Sequence, residues 1–198
     1  MAEVTRGGPL DRRIAVASLL ERRDDLLVVT GLGSPSYDVM AAGDHDNNYY
    51  LWAAMGSACM VGLGLACAQP NKTVLVLTGD GEAMMGFGAL ATIAVKAPRN
   101  LSIGVLDNGH FGETGMQVSH AGLGVSIDRV AATLGFAWTA EINDYDGVSA
   151  FRERLGRRDG PQLATIKIMA ENPPRALPSR DGAFIKNRFR AALGIAPI

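Results

Sequence analysis

The tripeptide Gly79-Asp80-Gly81 stands directly after an apolar run at 73–78 and just before a helix-like stretch, and Asp107-Asn108-Gly109 follows the next apolar run, 101–106. One strand-helix-strand interval separates the two motifs. Adjacent parallel strands would therefore bring Asp80 and Asn108 to neighbouring strand ends, about 4.8 Å apart. A carboxylate and an amide oxygen at that separation suit one hard divalent cation. Glycine on both sides of Asp80 lets the backbone turn sharply, and the amides of Gly81 and Glu82 point to where an anion would sit. Magnesium takes few protein ligands when phosphate oxygens and water complete its octahedron. These residues predict a metal-bridged diphosphate. Gly-Asp-Gly alone also serves as a plain strand-to-helix turn, so it is the second motif at this interval that argues for chemistry.

The elements that must position this pair are legible as alternating patterns. Runs at 26–30, 73–78 and 101–106 are rich in branched apolar residues and read as buried strands, with two more at 136–142 and 162–169. Helical patterns occupy 10–23, 53–68, 83–96, 127–134 and 148–157, the first of them amphipathic. The expected fold is α/β: a doubly wound, mainly parallel sheet flanked by helices on both faces, with ligands at the carboxyl ends of its strands. One domain over 1–198 is expected, with an arm from about residue 170. There Asn172-Pro173-Pro174-Arg175 breaks the pattern before a basic stretch, 180–190, that reads as a short helix. No internal repeat or linker divides the chain.

Composition narrows the partners. Apolar residues make up 47% of the 198 and charged residues 20%, with a net charge of -1. That balance indicates neither disorder nor a polybasic surface for nucleic acid or anionic lipid. Residues 1–9 lack the apolar core of a secretory signal, and no apolar span reaches membrane length. A cytoplasmic protein meeting small molecules or other proteins is expected. Cys59 and Cys67 fall in one predicted helix about 12 Å apart along its axis, too far for a disulfide, and read as core thiols.

Gly-Asp-Gly followed at this interval by Asp-Asn resembles the signature of thiamine-diphosphate enzymes. The resemblance implies thiamine diphosphate and Mg2+ as cofactors, with Asp80, Asn108 and the backbone carbonyl of His110 as metal ligands. Upstream, 51–57 is similar to the family's Gly-x-Met-Gly segment, with Ala53 where relatives often have glycine. It gives Met55 the role of a wedge that folds the cofactor, with the Ala53 carbonyl and Met55 amide available to the pyrimidine. Gly31-Leu32-Gly33-Ser34 corresponds to a first loop that offers Gly33 and Ser34 to the terminal phosphate. The Gly-Lys-Ser/Thr ending of a nucleotide P-loop is missing here. Glu113 and His110, in the loop after the metal motif, are candidates to handle protons, with a solvated loop as the alternative. His45 is read as a capping or surface residue, with substrate contact as the less favoured alternative.

In this family a glutamate from a second domain contacts the pyrimidine. Only about 25 residues precede the first predicted strand, so the resemblance implies a separate pyrimidine-binding subunit, a hetero-oligomer, and a chain inactive alone. The size and the stretches 106–109 and 185–189 look like the branch of sulfopyruvate and phosphonopyruvate decarboxylases, which implies a small anionic 2-oxoacid substrate and an aldehyde product. Arg180, Lys186, Arg188 and Arg190 are candidate contacts for its anionic tail, with a solvated basic helix favoured. The competing expectations are an acetolactate-synthase-like carboligase subunit, a non-catalytic nucleotide- or diphosphate-binding scaffold, and a two-chain oxidative enzyme with an iron-sulfur partner.

Overall fold

The computed structural model describes residues 9–196, so the reading of 1–8 lies outside the described residues. The three strongest apolar runs form the centre of one sheet. They are β1 (Leu27–Thr30), β3 (Val74–Gly79) and β4 (Leu101–Asp107), and almost every residue in them is buried. Strands buried on both faces are what continuous branched apolar sequence predicts. With β2 (Asn48–Tyr50), β7 (Trp138–Ile142) and β8 (Gln162–Lys167) they make a six-stranded sheet in the order β2-β1-β3-β4-β8-β7. Every pairing in it is parallel, so the sheet is more uniform than the mainly parallel one expected. A separate antiparallel hairpin pairs β5 (His110–Phe111) with β6 (Gln117–Val118).

Helices cover both faces. On one, α1 (Arg12–Leu19), α2 (Ser34–Ala41) and α7 (Tyr145–Leu155) pack Val16, Val39 and Phe151 against Val28, Leu75, Leu77 and Ile166. On the other, α3 (Ala58–Ala68), α5 (Gly88–Lys96) and α6 (Ile127–Thr133) pack Leu63, Ile93 and Ile127 against Val29, Val76, Ile103 and Val105. Alternate strand residues thus feed two separate cores, as the two-residue strand period requires. The closing helix α8 (Gly182–Ala192) lies at the β2 edge, with Phe189 edge-on to Tyr49 at 5.4 Å.

Several boundaries differ from the sequence reading. The helix expected over 53–68 begins only at Ala58, because Ala54 and Gly56 take left-handed backbone angles and form a turn that carries Met55. The helix expected over 83–96 is two, α4 (Asp80–Met85) and α5, broken where Gly86 packs on the backbone of Gly56. A Cβ on Gly86 would lie 1.8 Å from the Gly56 carbonyl oxygen, so the chain bends where two backbones touch. Helix α2 and strand β2 had no clear periodic signal. Cys59 is a buried core thiol as expected, but Cys67 is exposed, on the face of α3 turned away from the sheet. Among the described residues no helix is long and apolar enough to cross a membrane.

Candidate functional site

The helices that leave β1 and β3 go to opposite faces of the sheet, α2 to one and α4 with α5 to the other. Between such strands a crevice opens at the carboxyl end, the place where ligands bind in open α/β sheets. Here it is a cleft open to solvent. Three strand-end loops supply its walls. The loop after β1 gives Leu32, Ser34 and Pro35; the turn after β3 gives Gly79, Asp80, Gly81 and Glu82; the segment after β4 gives Asn108, His110, Phe111 and Glu113. Met55 and Arg12 complete the lining.

The register of β3 on β4 aligns Gly79 with Leu106, which puts Asp80 level with Asp107 and one residue short of Asn108. Asp80 is 2% exposed and its Oδ2 accepts a hydrogen bond from the Ser119 hydroxyl. Burial pushes the Asp80 carboxyl up, the Ser119 hydroxyl pulls it down, and the neighbouring Asp107 pushes it up again. A buried carboxylate beside a second carboxylate is a place where a cation lowers the energy. Asp107 already has one, since the Lys167 ammonium donates to its Oδ2 at 2.5 Å. Asp80 has none. Asn108 Oδ1 accepts from the His110 amide at 3.0 Å, and the Asn108 carbonyl meets His110 Nδ1 at 2.8 Å. Those bonds fix the amide side chain while leaving its oxygen a second lone pair.

The donor set fits a magnesium-bridged diphosphate. Among the described residues no three His, Cys, Asp or Glu side chains are placed to hold a metal. A cation here would take oxygen from Asp80, Asn108, backbone and ligand, which suits magnesium rather than zinc. The floor is also open where an anion would approach, since a Cβ on Gly79 would meet no atom within 4 Å.

The other predicted residues divide. Gly33, Ser34 and Glu113 meet: a Cβ on Gly33 would lie 3.1 Å from Glu113 Cγ, and the Ser34 hydroxyl donates to Glu113 Oε1 at 3.4 Å. Met55 stands on the rim, 44% exposed. Ala53 is exposed and outside the lining of the cleft. His45 is also outside it, its ring accepting the Asn47 amide at 3.0 Å, which is the capping role. Of the basic arm, Arg188 forks onto Asp44 at 2.6 and 3.2 Å and Arg190 bonds the Ala196 carbonyl, so neither reaches the cleft. Arg180 and Lys186 are not among its lining either.

Sequence reasoning missed three contributors. Arg12 and Asp38 form a buried pair beside the cleft, and Arg175 from the arm donates to Glu113 Oε2 at 2.8 Å. The charged helix around Arg12 carried no mark to separate it from a solvated face. Asp38 had one, as a lone charge in the segment 34–41. Glu82 was credited only with its amide, yet its carboxylate is 4% exposed and accepts from the Thr78 hydroxyl at 2.8 Å. Burial pushes it up; Thr78 and the nearby Gly56 and Ala58 amides pull it down, although Oε1 makes no well-formed hydrogen bond.

Known proteins resemble this chain in sequence and in fold. Residues 35–163, more than half of the chain, match the family described as thiamine pyrophosphate enzyme, C-terminal TPP binding domain. The chain is 38% identical over 149 residues to sulfopyruvate decarboxylase of Methanosarcina acetivorans, an alignment covering 75% of this chain and 38% of that protein. It is 33% identical over 180 residues to sulfopyruvate decarboxylase subunit beta of Methanothermobacter thermautotrophicus, covering 91% of this chain and 94% of that subunit. With phosphonopyruvate decarboxylase of Streptomyces viridochromogenes it shares 33% identity, over 99% of this chain and 48% of that protein. The chain thus spans less than half of two of these relatives and nearly the whole of the third. A thiamin diphosphate-dependent enzyme of Mycobacterium smegmatis, known by its X-ray structure, superposes with a TM-score of 0.71 at 22% identity, over 86% of this chain and 34% of that one. That likeness shows the fold.

Proposed function

Because the chain belongs to the thiamine pyrophosphate enzymes, through their C-terminal cofactor-binding domain, we propose that it is the diphosphate- and magnesium-binding subunit of a 2-oxoacid decarboxylase of the sulfopyruvate and phosphonopyruvate type, completed by a separate pyrimidine-binding subunit. The observation that carries this reading is the buried Asp80 carboxylate, without a cationic partner among the described residues, on the floor of a cleft that Asn108 also lines. The whole-length match to a protein named as a beta subunit supports the two-chain assembly.

In this reading Asp80, the Asn108 side-chain oxygen and the His110 carbonyl hold Mg2+. The Gly81 and Glu82 amides and the Gly33-Ser34 loop take phosphate oxygens, as backbone amides at a helix start do. Met55, exposed on the rim of this chain, would support the bound cofactor, and the Ala53 carbonyl and Met55 amide would be available to its pyrimidine. The thiazolium of bound thiamine diphosphate supplies the electron sink for loss of carbon dioxide. His110 and Glu113, which line the cleft, would hold or move the proton that the decarboxylated substrate takes up. The partner subunit supplies the glutamate for the pyrimidine.

The test is to co-express the chain with the pyrimidine-binding subunit that copurifies with it, and to assay sulfopyruvate and phosphonopyruvate with magnesium and thiamine diphosphate. Carbon dioxide and the matching aldehyde, formed only when both chains are present, are expected. Turnover by this chain alone, or a coupled hydroxyketone in place of an aldehyde, would contradict the reading.

A further inference from the structure

Arg12 is a long cationic side chain buried to 5% exposure and, among the described residues, the only Lys or Arg that lines the cleft. Its Nε donates to Asp38 Oδ2 at 2.8 Å, its Nη2 lies 2.8 Å from the same oxygen, and its Nη1 reaches the Glu171 carbonyl at 3.4 Å. A guanidinium carries more N–H donors than these partners use. Arg13 shares the same carboxylate, with its Nε 2.9 Å from Asp38 Oδ1, but its other nitrogens are committed to the Tyr37 and Pro174 carbonyls. Asp38 is 1% exposed and Arg13 22%, so one buried carboxylate answers two guanidiniums, of which Arg12 is buried and Arg13 partly open to solvent. Arg12 thus shares the Asp38 carboxylate with a second cation, and a buried cation without a full counter-charge is costly unless an anion answers it. Arg12 is the member of the cluster that lines the cleft.

The cleft has the complementary deficit. A diphosphate ester carries more negative charge than one divalent cation cancels when that cation is also shared with Asp80. A guanidinium in fixed orientation is the side chain best matched to phosphate oxygens. We propose that Arg12, oriented by Asp38, binds a phosphoryl oxygen of the diphosphate as a second cation beside the metal. This rests on the reading of the cleft as a diphosphate site. It adds a charged contact from α1, an element outside the three strand-end loops, and gives Asp38 the role of a positioning residue.

The test is calorimetric titration of the full chain with inorganic pyrophosphate and magnesium, comparing wild type, Arg12→Met, and Arg12→Met with Asp38→Asn. The double variant removes the carboxylate that the single variant leaves short of a partner, and ligand-free thermal unfolding shows which variants are folded. Wild-type binding that weakens about tenfold or more in the double variant is the expected result. Wild-type affinity in the double variant would mean that Arg12 only neutralises Asp38, and would overturn the inference while leaving the diphosphate site intact. Unchanged pyrophosphate affinity with a raised KM for the oxoacid in the assembled enzyme would place Arg12 on the substrate, and would also overturn it. No binding by wild type would instead remove the diphosphate reading on which it rests.

Discussion

The Glu82 carboxylate fills the space in front of Gly31: a Cβ on Gly31 would lie 1.5 Å from Glu82 Oε2. Gly31 begins the loop after β1 and Glu82 lies in the first turn of α4, so this contact joins two of the three loops that wall the cleft. Gly31→Ala must push Glu82 out of its hydrogen bond with Thr78. Overpacking of this kind costs about 1–3 kcal/mol. Adding Glu82→Ala should recover part of that loss, and denaturant unfolding of the two single variants and the double variant would measure it. Strictly additive losses would show that the two residues are not in contact in solution.

Met55 is held on a left-handed turn at Ala54 and Gly56, pressed against Gly86, and half of its side chain is uncovered. A side chain with so little protein contact contributes little to stability. Met55→Ala should leave the unfolding temperature nearly unchanged, while in the assembled enzyme kcat falls more than cofactor affinity. Full kcat would show the wedge role to be wrong.

Arg175 and Glu113 are 60% and 38% exposed, and a pair so accessible contributes about 0–1 kcal/mol. Arg175→Ala should therefore barely alter global unfolding. Asn172 also reaches the Gly112 carbonyl, at 3.5 Å, so the arm touches the β5–β6 segment at more than one point. Faster amide hydrogen exchange confined to residues 110–118 is expected in Arg175→Ala. Exchange identical to wild type would show that the pair does not order that segment.

Burial pushes the Cys59 thiol up to about 12, with the Glu82 carboxylate adding to the shift, whereas Cys67 is exposed. Alkylation of the folded chain at mildly alkaline pH should mark Cys67 alone, since the thiolate is the reactive form. Mass spectrometry that finds Cys59 equally labelled without unfolding would contradict its burial.

The sheet was legible because its central strands are buried on both faces, so 26–30, 73–78 and 101–106 are continuous apolar runs whose identity needs no tertiary knowledge. The position of Asp80 and Asn108 at neighbouring strand ends was legible for a related reason: the motifs mark those ends directly, where this fold opens its cleft. The start of α3 was not legible. The residues at 53–57 suit a helix locally, and only the approach of Gly86 to Gly56 imposes the turn there. The break between α4 and α5 has the same cause. The place of Arg12 in the cleft escaped because it depends on pairing with Asp38, 26 positions away, and on a cleft that exists only after the sheet has formed. Cys67 was misread because an apolar run gives no sign of which helix face meets the sheet.

In the proposed function Asp80 and Asn108 hold a metal-bridged diphosphate. The most direct measurement is calorimetry of thiamine diphosphate with and without magnesium on wild-type chain, on Asp80→Ala and on Asn108→Ala, each alone and with the pyrimidine-binding subunit. Magnesium-dependent binding in wild type, abolished by Asp80→Ala and weakened by Asn108→Ala, is the predicted result. Binding of equal strength in wild type and Asp80→Ala, or binding indifferent to magnesium, would contradict the account.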